Sequence, residues 1–187
     1  GCFEIEDVSM LNKCKYLDLS NCHKITDVSK LGNIPHLDLS HCDNIVNISK
    51  LGNHKYLSLR GCNKISNIKY LKNIHTLDVS YCPYIEINST MYNCIIKATQ
   101  SNLIDKDILY LKNVNELYIK NCYWISDLSS LSKLRKLDIR RCKSIKFLPK
   151  SIYMNHLVLS INQYDELYNE LQDFILKEDC SIDTEYF

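Results

Sequence analysis

Apolar residues recur along this chain with a period of 20, and the order of residue types within each period is nearly constant. The string LDLSHCDNI, which starts at Leu37, shows the pattern of leucine, alternating apolar residue and cysteine. Related strings are LDLSNCHKI, LSLRGCNKI, LDVSYCPYI, LYIKNCYWI and LDIRRCKSI, which start at residues 17, 57, 77, 117 and 137. A fixed period of this length is typical of an array of repeated structural units.

The consensus unit, LxLxxCxxIxxIxxLxxIxx, combines two local patterns. Its LxL part alternates apolar and polar residues, which predicts a short, half-buried strand. The apolar residues that follow come at every third position, which predicts three residues per turn or a short 3₁₀ segment rather than an α-helix. Asparagine tolerates left-handed backbone, so asparagines near the end of this segment are expected to reverse the chain. They are Asn33, Asn53, Asn73, Asn93 and Asn113.

Units of this kind bury their apolar side by stacking on their neighbours. The sequence therefore predicts an α/β repeat solenoid: an arc with a parallel sheet on its concave side, extended or 3₁₀ segments on its convex side and a helical cap at the C-terminus. We expect residues 1–162 to form about eight coils. The first coil is expected to be truncated, because Cys2 lies one period before Cys22.

The consensus resembles the leucine-rich repeat, LxxLxLxxNxLxxLxxL, over residues 2 to 162. In that family the asparagine forms an internal ladder between coils, and here cysteine takes its place. The strings CHKITD (from Cys22) and CYWISD (from Cys122) also resemble the cysteine-containing repeats of F-box-linked proteins. The longer string that starts at Leu17, LDLSNCHKITDVSKLGN, is most similar to repeats of giant DNA viruses and some protists. These resemblances imply a cytoplasmic protein, in the host cell if it is viral, that recognises a protein substrate.

The repeat is interrupted in two places. In the coil at 93–112, Lys97, Thr99, Asn102 and Asp105 replace expected apolar or cysteine residues, which predicts a looser coil. Beyond residue 162, apolar residues recur at three- and four-residue steps, which predicts an amphipathic capping helix over roughly 164–177. Residues 178–187 are expected to be a short acidic tail, disordered by composition, so that 163–187 contain the cap and the tail.

Six cysteines form one column of the repeat and are expected to stack at the strand spacing of roughly 5 Å. They are Cys22, Cys42, Cys62, Cys82, Cys122 and Cys142. Because each thiol is needed inside its own coil, we expect a structural ladder of reduced, buried thiols and a cytoplasmic location. Cys180 lies outside the column and is the most exposed thiol expected.

The formal net charge of +1 conceals an uneven distribution. Residues 163–187 contain eight acidic residues and one lysine, while 112–150 contain ten basic and three acidic residues. The basic stretch allows an alternative function, binding of nucleic acid or another phosphate-rich ligand. We consider nucleic acid the less favoured partner, because no nucleic-acid-binding motif accompanies the charge. No apolar run is long enough for a membrane span, so no membrane association is expected.

The sequence offers no catalytic, metal or cofactor motif. Cysteines 20 residues apart do not have zinc-ligand spacing, and four glycines do not make a phosphate-binding loop. His36, Asp38 and Ser40 share one strand face, but alternate residues on a strand are too far apart for a preset hydrogen-bond chain. The recurring Asp18, Asp38, Asp78 and Asp138 are open to two interpretations, a cation or basic-peptide site and simple repetition. We therefore expect a non-enzymatic protein without cofactors.

Aromatic residues interrupt an otherwise polar column after the strands. Tyr84 and Trp124 stand where other repeats have lysine, asparagine or serine, so they are expected to be exposed. They either anchor a partner or pack over the coil at 93–112. The predicted partner-binding residues are Tyr81, Tyr84, Tyr118, Lys120, Tyr123, Trp124, Lys136 and Arg140. The predicted function is a monomeric protein–protein interaction scaffold, with a structural role in a virion as a further alternative.

Overall fold

The structure is a computed structural model, and it describes residues 4–175 and 180–185. Within these residues a 3₁₀ turn (Ser9–Leu11), nine strands and three helices follow one another. The strands are β1 (Tyr16–Asp18), β2 (His36–Asp38), β3 (Tyr56–Ser58), β4 (Thr76–Asp78), β5 (Ile95–Lys97), β6 (Glu116–Tyr118), β7 (Lys136–Asp138), β8 (His156–Ser160) and β9 (Ser181–Glu185). The helices are α1 (Asp105–Ile108), α2 (Ile161–Glu166) and α3 (Tyr168–Ile175).

The described strands form a single sheet in which each strand pairs in parallel with the next along the chain. The repeat columns stand in register, with Leu17 opposite Leu37 and Leu37 opposite Leu57. From β2 to β8 the central residue of each strand is buried, and its neighbours face outward. We call this outward side of the strands the sheet face. The predicted solenoid with one parallel sheet is confirmed.

The return path of each coil is made of three-residue turns. The Cys22 N–H donates to the carbonyl of Leu19 (3.2 Å), and the Ile25 N–H donates to the carbonyl of Cys22 (3.3 Å). Later in the same coil, the Leu31 N–H donates to the carbonyl of Val28 (3.0 Å). Each bond therefore joins residues three apart, as the apolar spacing predicts.

The predicted reversal at asparagine residues is wrong for all of them except Asn93, whose φ is 51°. Left-handed backbone occurs instead immediately before the cysteine position. The residues are Asn21, His41, Gly61, Tyr81, Gln100, Asn121 and Arg141. Each still donates its N–H to the next coil, whereas the following N–H donates back within its own coil, so the chain has to turn there.

The predicted looseness of the coil at 93–112 is also wrong. β5 starts 19 residues after β4 and 21 before β6, so Ile96 and Ala98 take the buried positions and Lys97 faces outward. Helix α1 then ties this coil to both neighbours. The Asp107 carboxylate accepts the Ile87 N–H (2.9 Å), and the Asp105 carboxylate accepts the Ser126 N–H (2.7 Å).

The C-terminal segment caps the array differently from the prediction. Two short helices replace one long helix, with Leu167 and Leu171 buried against the last coil. The described part of the acidic tail is ordered: β9 pairs with β8 from Ser181 to Glu185. It has a partner because β8 presents an unpaired edge to it. Cys2 and the tail residues 176–179 and 186–187 lie outside the described residues.

Candidate functional site

The predicted partner-binding residues occupy two separate surfaces. Tyr84 and Trp124 lie on the turns that follow the strands, with 68% and 66% of their surface exposed. Tyr81 and Tyr123 lie nearby in the chain and are exposed as well. The other predicted residues, Tyr118, Lys120, Lys136 and Arg140, belong to the sheet face around β6 and β7.

The exposed aromatic residues are connected by a residue that the sequence pattern did not single out. Ile104 is 47% exposed, and its backbone forms a parallel bridge with that of Trp124. On its other side Ile104 lines the same cleft as Tyr84, with a volume of about 440 Å³. Tyr84, Ile104 and Trp124 therefore form a continuous apolar strip across three coils, which we call the aromatic row.

Tyr81 is held in an unusual conformation beside this row. Its φ is 61°, a value that bulky residues rarely adopt. The Arg60 guanidinium lies 4.2 Å from the centre of the Tyr81 ring, a distance suited to a cation–π contact. Tyr81 is thus positioned by contacts within the chain, and 37% of its surface remains open.

The basic residues of the sheet face are largely neutralised by acidic neighbours. Arg140 binds Asp138 with two bonds, Nε to Oδ1 at 2.8 Å and Nη2 to Oδ2 at 2.5 Å, and its Nη1 binds Glu185 of β9. The Lys136 ammonium lies 3.7 Å from the Glu116 carboxylate. The tail strand β9 therefore supplies charge that compensates part of the basic stretch.

Tyr118 is engaged in the same network. Its hydroxyl donates to Glu116 Oε2 at 2.7 Å. Burial and this hydrogen bond to an anion raise the pKa of Tyr118 to about 12, so the phenol stays protonated. Tyr118 therefore presents a neutral, hydrogen-bonded ring to the sheet face.

The cysteine column forms a ladder of hydrogen bonds between coils. The Cys62 thiol donates to the carbonyl of Leu39 and the Cys82 thiol to that of Leu59, both at 3.1 Å. The same bond is made by Cys42, Cys122 and Cys142. Burial raises the pKa of the Cys82 thiol to about 11, so it stays a protonated donor. The predicted ladder of reduced, buried thiols is confirmed for the described cysteines.

Two further members of this ladder are not cysteines. Ser101 donates its hydroxyl to the carbonyl of Val79 at 2.9 Å and so fills the thiol position in the shifted coil. Gln163 donates its amide to the carbonyls of Ile139 (2.9 Å) and Cys142 (3.0 Å) at the C-terminal end. Aligning IIKATQS with LDVSYC one residue off the period is the signal that would have located Ser101. Gln163 has no comparable signal in the repeat.

The sheet-face residues that suggested a hydrolase triad are not arranged as one. The Ser40 hydroxyl contacts Asp38 Oδ1 (2.5 Å) and the Ser58 hydroxyl (2.7 Å). His36 instead stacks on Tyr16, with ring centres 4.5 Å apart. His36 therefore has a packing role on this face rather than that of a base for Ser40.

Comparison with known proteins does not assign the chain to a family. No protein-family model matches it, and no curated protein sequence is significantly similar to it. Among the described residues no helix has the length and apolar character needed to cross a membrane. The described part likewise contains no group of three or more potential metal-ligating side chains.

Proposed function

We propose that this protein is a non-enzymatic scaffold that binds an apolar segment of a protein partner through the aromatic row. The observation that carries the proposal is the exposure of Tyr84 and Trp124, which retain 68% and 66% of their surface in the folded chain. Exposed tryptophan and tyrosine are typical energetic anchors of interfaces. Their packing over the neighbouring coil uses only about a third of each side chain, so most of the apolar surface is available.

The fold supports a binding role. Neighbouring strands lie roughly 5 Å apart, so side chains on successive coils form an extended surface. Ile104 connects Tyr84 to Trp124, and the cleft beside Tyr84 has room for a side chain of the partner. A continuous apolar strip of this kind is a recognised mark of an interaction surface.

The same proposal includes membership of the leucine-rich repeat class and a cytoplasmic location. The 20-residue turns and the ladder at the consensus asparagine position are compatible with that class. The buried thiols support a reducing compartment, because they act as hydrogen-bond donors only while reduced. A substrate-recognition role in a viral or protist protein rests on the sequence resemblance alone.

The alternative of a phosphate-rich ligand at 112–150 is less favoured. Arg140 is bound to Asp138 and Glu185, and Lys136 is close to Glu116, so an anion would have to displace these carboxylates. Binding that falls steeply with salt would be the mark of that alternative.

The test is affinity capture from lysate of the source cells at two salt concentrations, followed by binding of the purified partner measured by calorimetry. The variant Tyr84→Ala/Trp124→Ala is compared with Tyr92→Ala/Tyr153→Ala, which removes two tyrosines that are 61% and 54% exposed elsewhere. We expect a salt-resistant partner that binds the wild type and the control, and binds the row variant at least roughly tenfold more weakly. Equal binding by both variants would refute the proposal, and recovery of only salt-sensitive nucleic acid would support the alternative.

A further inference from the structure

A second cleft lies on the sheet face at the other end of the array. It has a volume of about 400 Å³ and is lined by Tyr16, Leu17, Asp18, His36, Asp38 and Tyr56. Three rings occupy the first position of β1, β2 and β3, and two carboxylates occupy the third position of β1 and β2. We call this the aromatic–acidic cleft.

The rings of the cleft are arranged as a wall. Tyr16 and His36 are stacked with an interplanar angle of 20°, and Tyr56 stands in register beside His36 on the next strand. Tyr16 nevertheless remains 65% exposed. The Lys15 ammonium lies 5.6 Å from the centre of the Tyr16 ring, so the face of this ring already accommodates a cation.

The carboxylates of the cleft are each only half used. Asp18 Oδ1 accepts the Ser20 N–H at 2.8 Å, and Asp38 Oδ1 accepts the Ser40 N–H at 2.8 Å. The Ser20 hydrogen bonds also lower the pKa of Asp18, which keeps it ionised. Within the described residues, no group donates a hydrogen bond to Oδ2 of Asp18 or Asp38, and neither carboxylate forms an ion pair.

The chain itself shows what this position of the repeat binds. Asp138 occupies the same third position on β7, but Arg140 replaces the serine that follows Asp18 and Asp38 by two residues. The Arg140 guanidinium binds both oxygens of Asp138, at 2.8 Å and 2.5 Å. An aspartate at this position therefore presents both oxygens to a guanidinium on the sheet face.

The cleft is not a simple consequence of repetition. The first positions of β4, β5, β6 and β7 are Thr76, Ile95, Glu116 and Lys136, so no later coil repeats the ring wall. Only at β1 and β2 do uncompensated carboxylates adjoin aromatic rings. A planar guanidinium suits this combination, because it stacks on rings and donates to two carboxylates at once.

We propose that the aromatic–acidic cleft binds an arginine side chain of a partner protein. The guanidinium donates to Oδ2 of Asp18 and of Asp38, which face each other across the register at roughly 5 Å, and it rests against the ring wall. This site is distinct from the aromatic row, so either one can fail without the other.

The test is a nuclear magnetic resonance titration of the full ¹⁵N-labelled chain with the end-blocked pentapeptide Gly-Ser-Arg-Ser-Gly. Peptides with lysine or with neutral citrulline in place of arginine serve as ligand controls. The variant Asp18→Asn/Asp38→Asn keeps the oxygen that accepts the serine N–H and removes both charges. Its matched control is Asp27→Asn/Asp127→Asn, because Asp27 and Asp127 accept the Ser29 and Ser129 N–H in the same way outside the cleft.

We expect saturable amide shifts confined to residues 16–20, 36–40 and 56–60 with the arginine peptide. Affinity should be lower for lysine, absent for citrulline and reduced roughly tenfold or more in Asp18→Asn/Asp38→Asn, with little change in the control. Equal losses in both variants would show diffuse charge attraction and overturn the proposal. Equal binding of lysine and arginine, or shifts outside these residues, would also overturn it.

Discussion

Gln163 is expected to hold the C-terminal end of the solenoid together. Its side-chain amide donates to the carbonyls of Ile139 and Cys142. Its oxygen accepts the Arg141 N–H (3.1 Å), the Ser160 N–H (3.0 Å) and the Ser160 hydroxyl (2.7 Å). The residue is 3% exposed, so water does not replace these partners when the amide is removed. The structure therefore predicts a large effect for Gln163→Leu, which keeps a similar volume and loses all five bonds.

The magnitude follows from the two carbonyls. A buried polar group left without a partner costs about 1–3 kcal/mol, so the two together should cost about 2–5 kcal/mol. That is a large share of the free energy of unfolding of a typical domain, about 5–15 kcal/mol. Because each coil of a solenoid contacts only its neighbours, the loss should be felt most at the C-terminal coils.

The assay combines urea unfolding followed by circular dichroism with hydrogen exchange resolved by mass spectrometry. The control is Gln172→Leu, since the Gln172 amide makes an exposed contact with the carbonyl of Tyr168 at 3.5 Å. We expect Gln163→Leu to lower the urea midpoint and to increase exchange at 136–160 while 36–60 stays protected. A midpoint and an exchange pattern equal to those of the control would refute the assignment of Gln163 as the end of the ladder.

Three further predictions concern other buried or paired groups. Cys62→Ser should be tolerated better than Cys62→Ala, by about 1 kcal/mol in urea unfolding, because serine keeps a donor at the position where Ser101 uses one; equal losses would mean that packing alone matters. Burial lowers the pKa of His54, so below about pH 6.5 the unfolded chain takes up a proton that the folded chain does not. Stability should therefore fall between pH 7 and pH 5, and His54→Ile, which copies Ile34, should remove that part of the fall; an unchanged pH profile in the variant would contradict this origin. Glu185→Gln should strengthen binding of heparin to a heparin column by freeing part of the Arg140 charge, and an unchanged elution salt would show that this ion pair does not mask the basic stretch.

The sheet and the core of this protein were predictable because the relevant information is local and repeated. Each inward column contains the same kind of residue every 20 positions, and three-residue spacing has one simple structural interpretation. The exposure of Tyr84 and Trp124 was predictable for the same reason, since the rest of their column is polar.

The coil of β5 shows where this reasoning fails. A fixed period places Lys97 and Thr99 inside, whereas the chain shifts by one residue so that Ile96 and Ala98 are buried. Side-chain direction alternates along a strand, so a one-residue slip exchanges the two faces, and burial of apolar residues selects the register. Ile104 enters the aromatic row only through this shifted coil.

What the sequence by itself determined is the repeating unit: which residues form strands, which face the core and which thiols stack. Only the tertiary structure decided the contacts between coils that do not follow the period. β9 is acidic and has little apolar content, yet it is ordered because the open edge of β8 supplies its backbone partners. The aromatic–acidic cleft likewise exists because residues 20 apart in sequence are placed side by side by strand pairing, a long-range contact that no local pattern specifies.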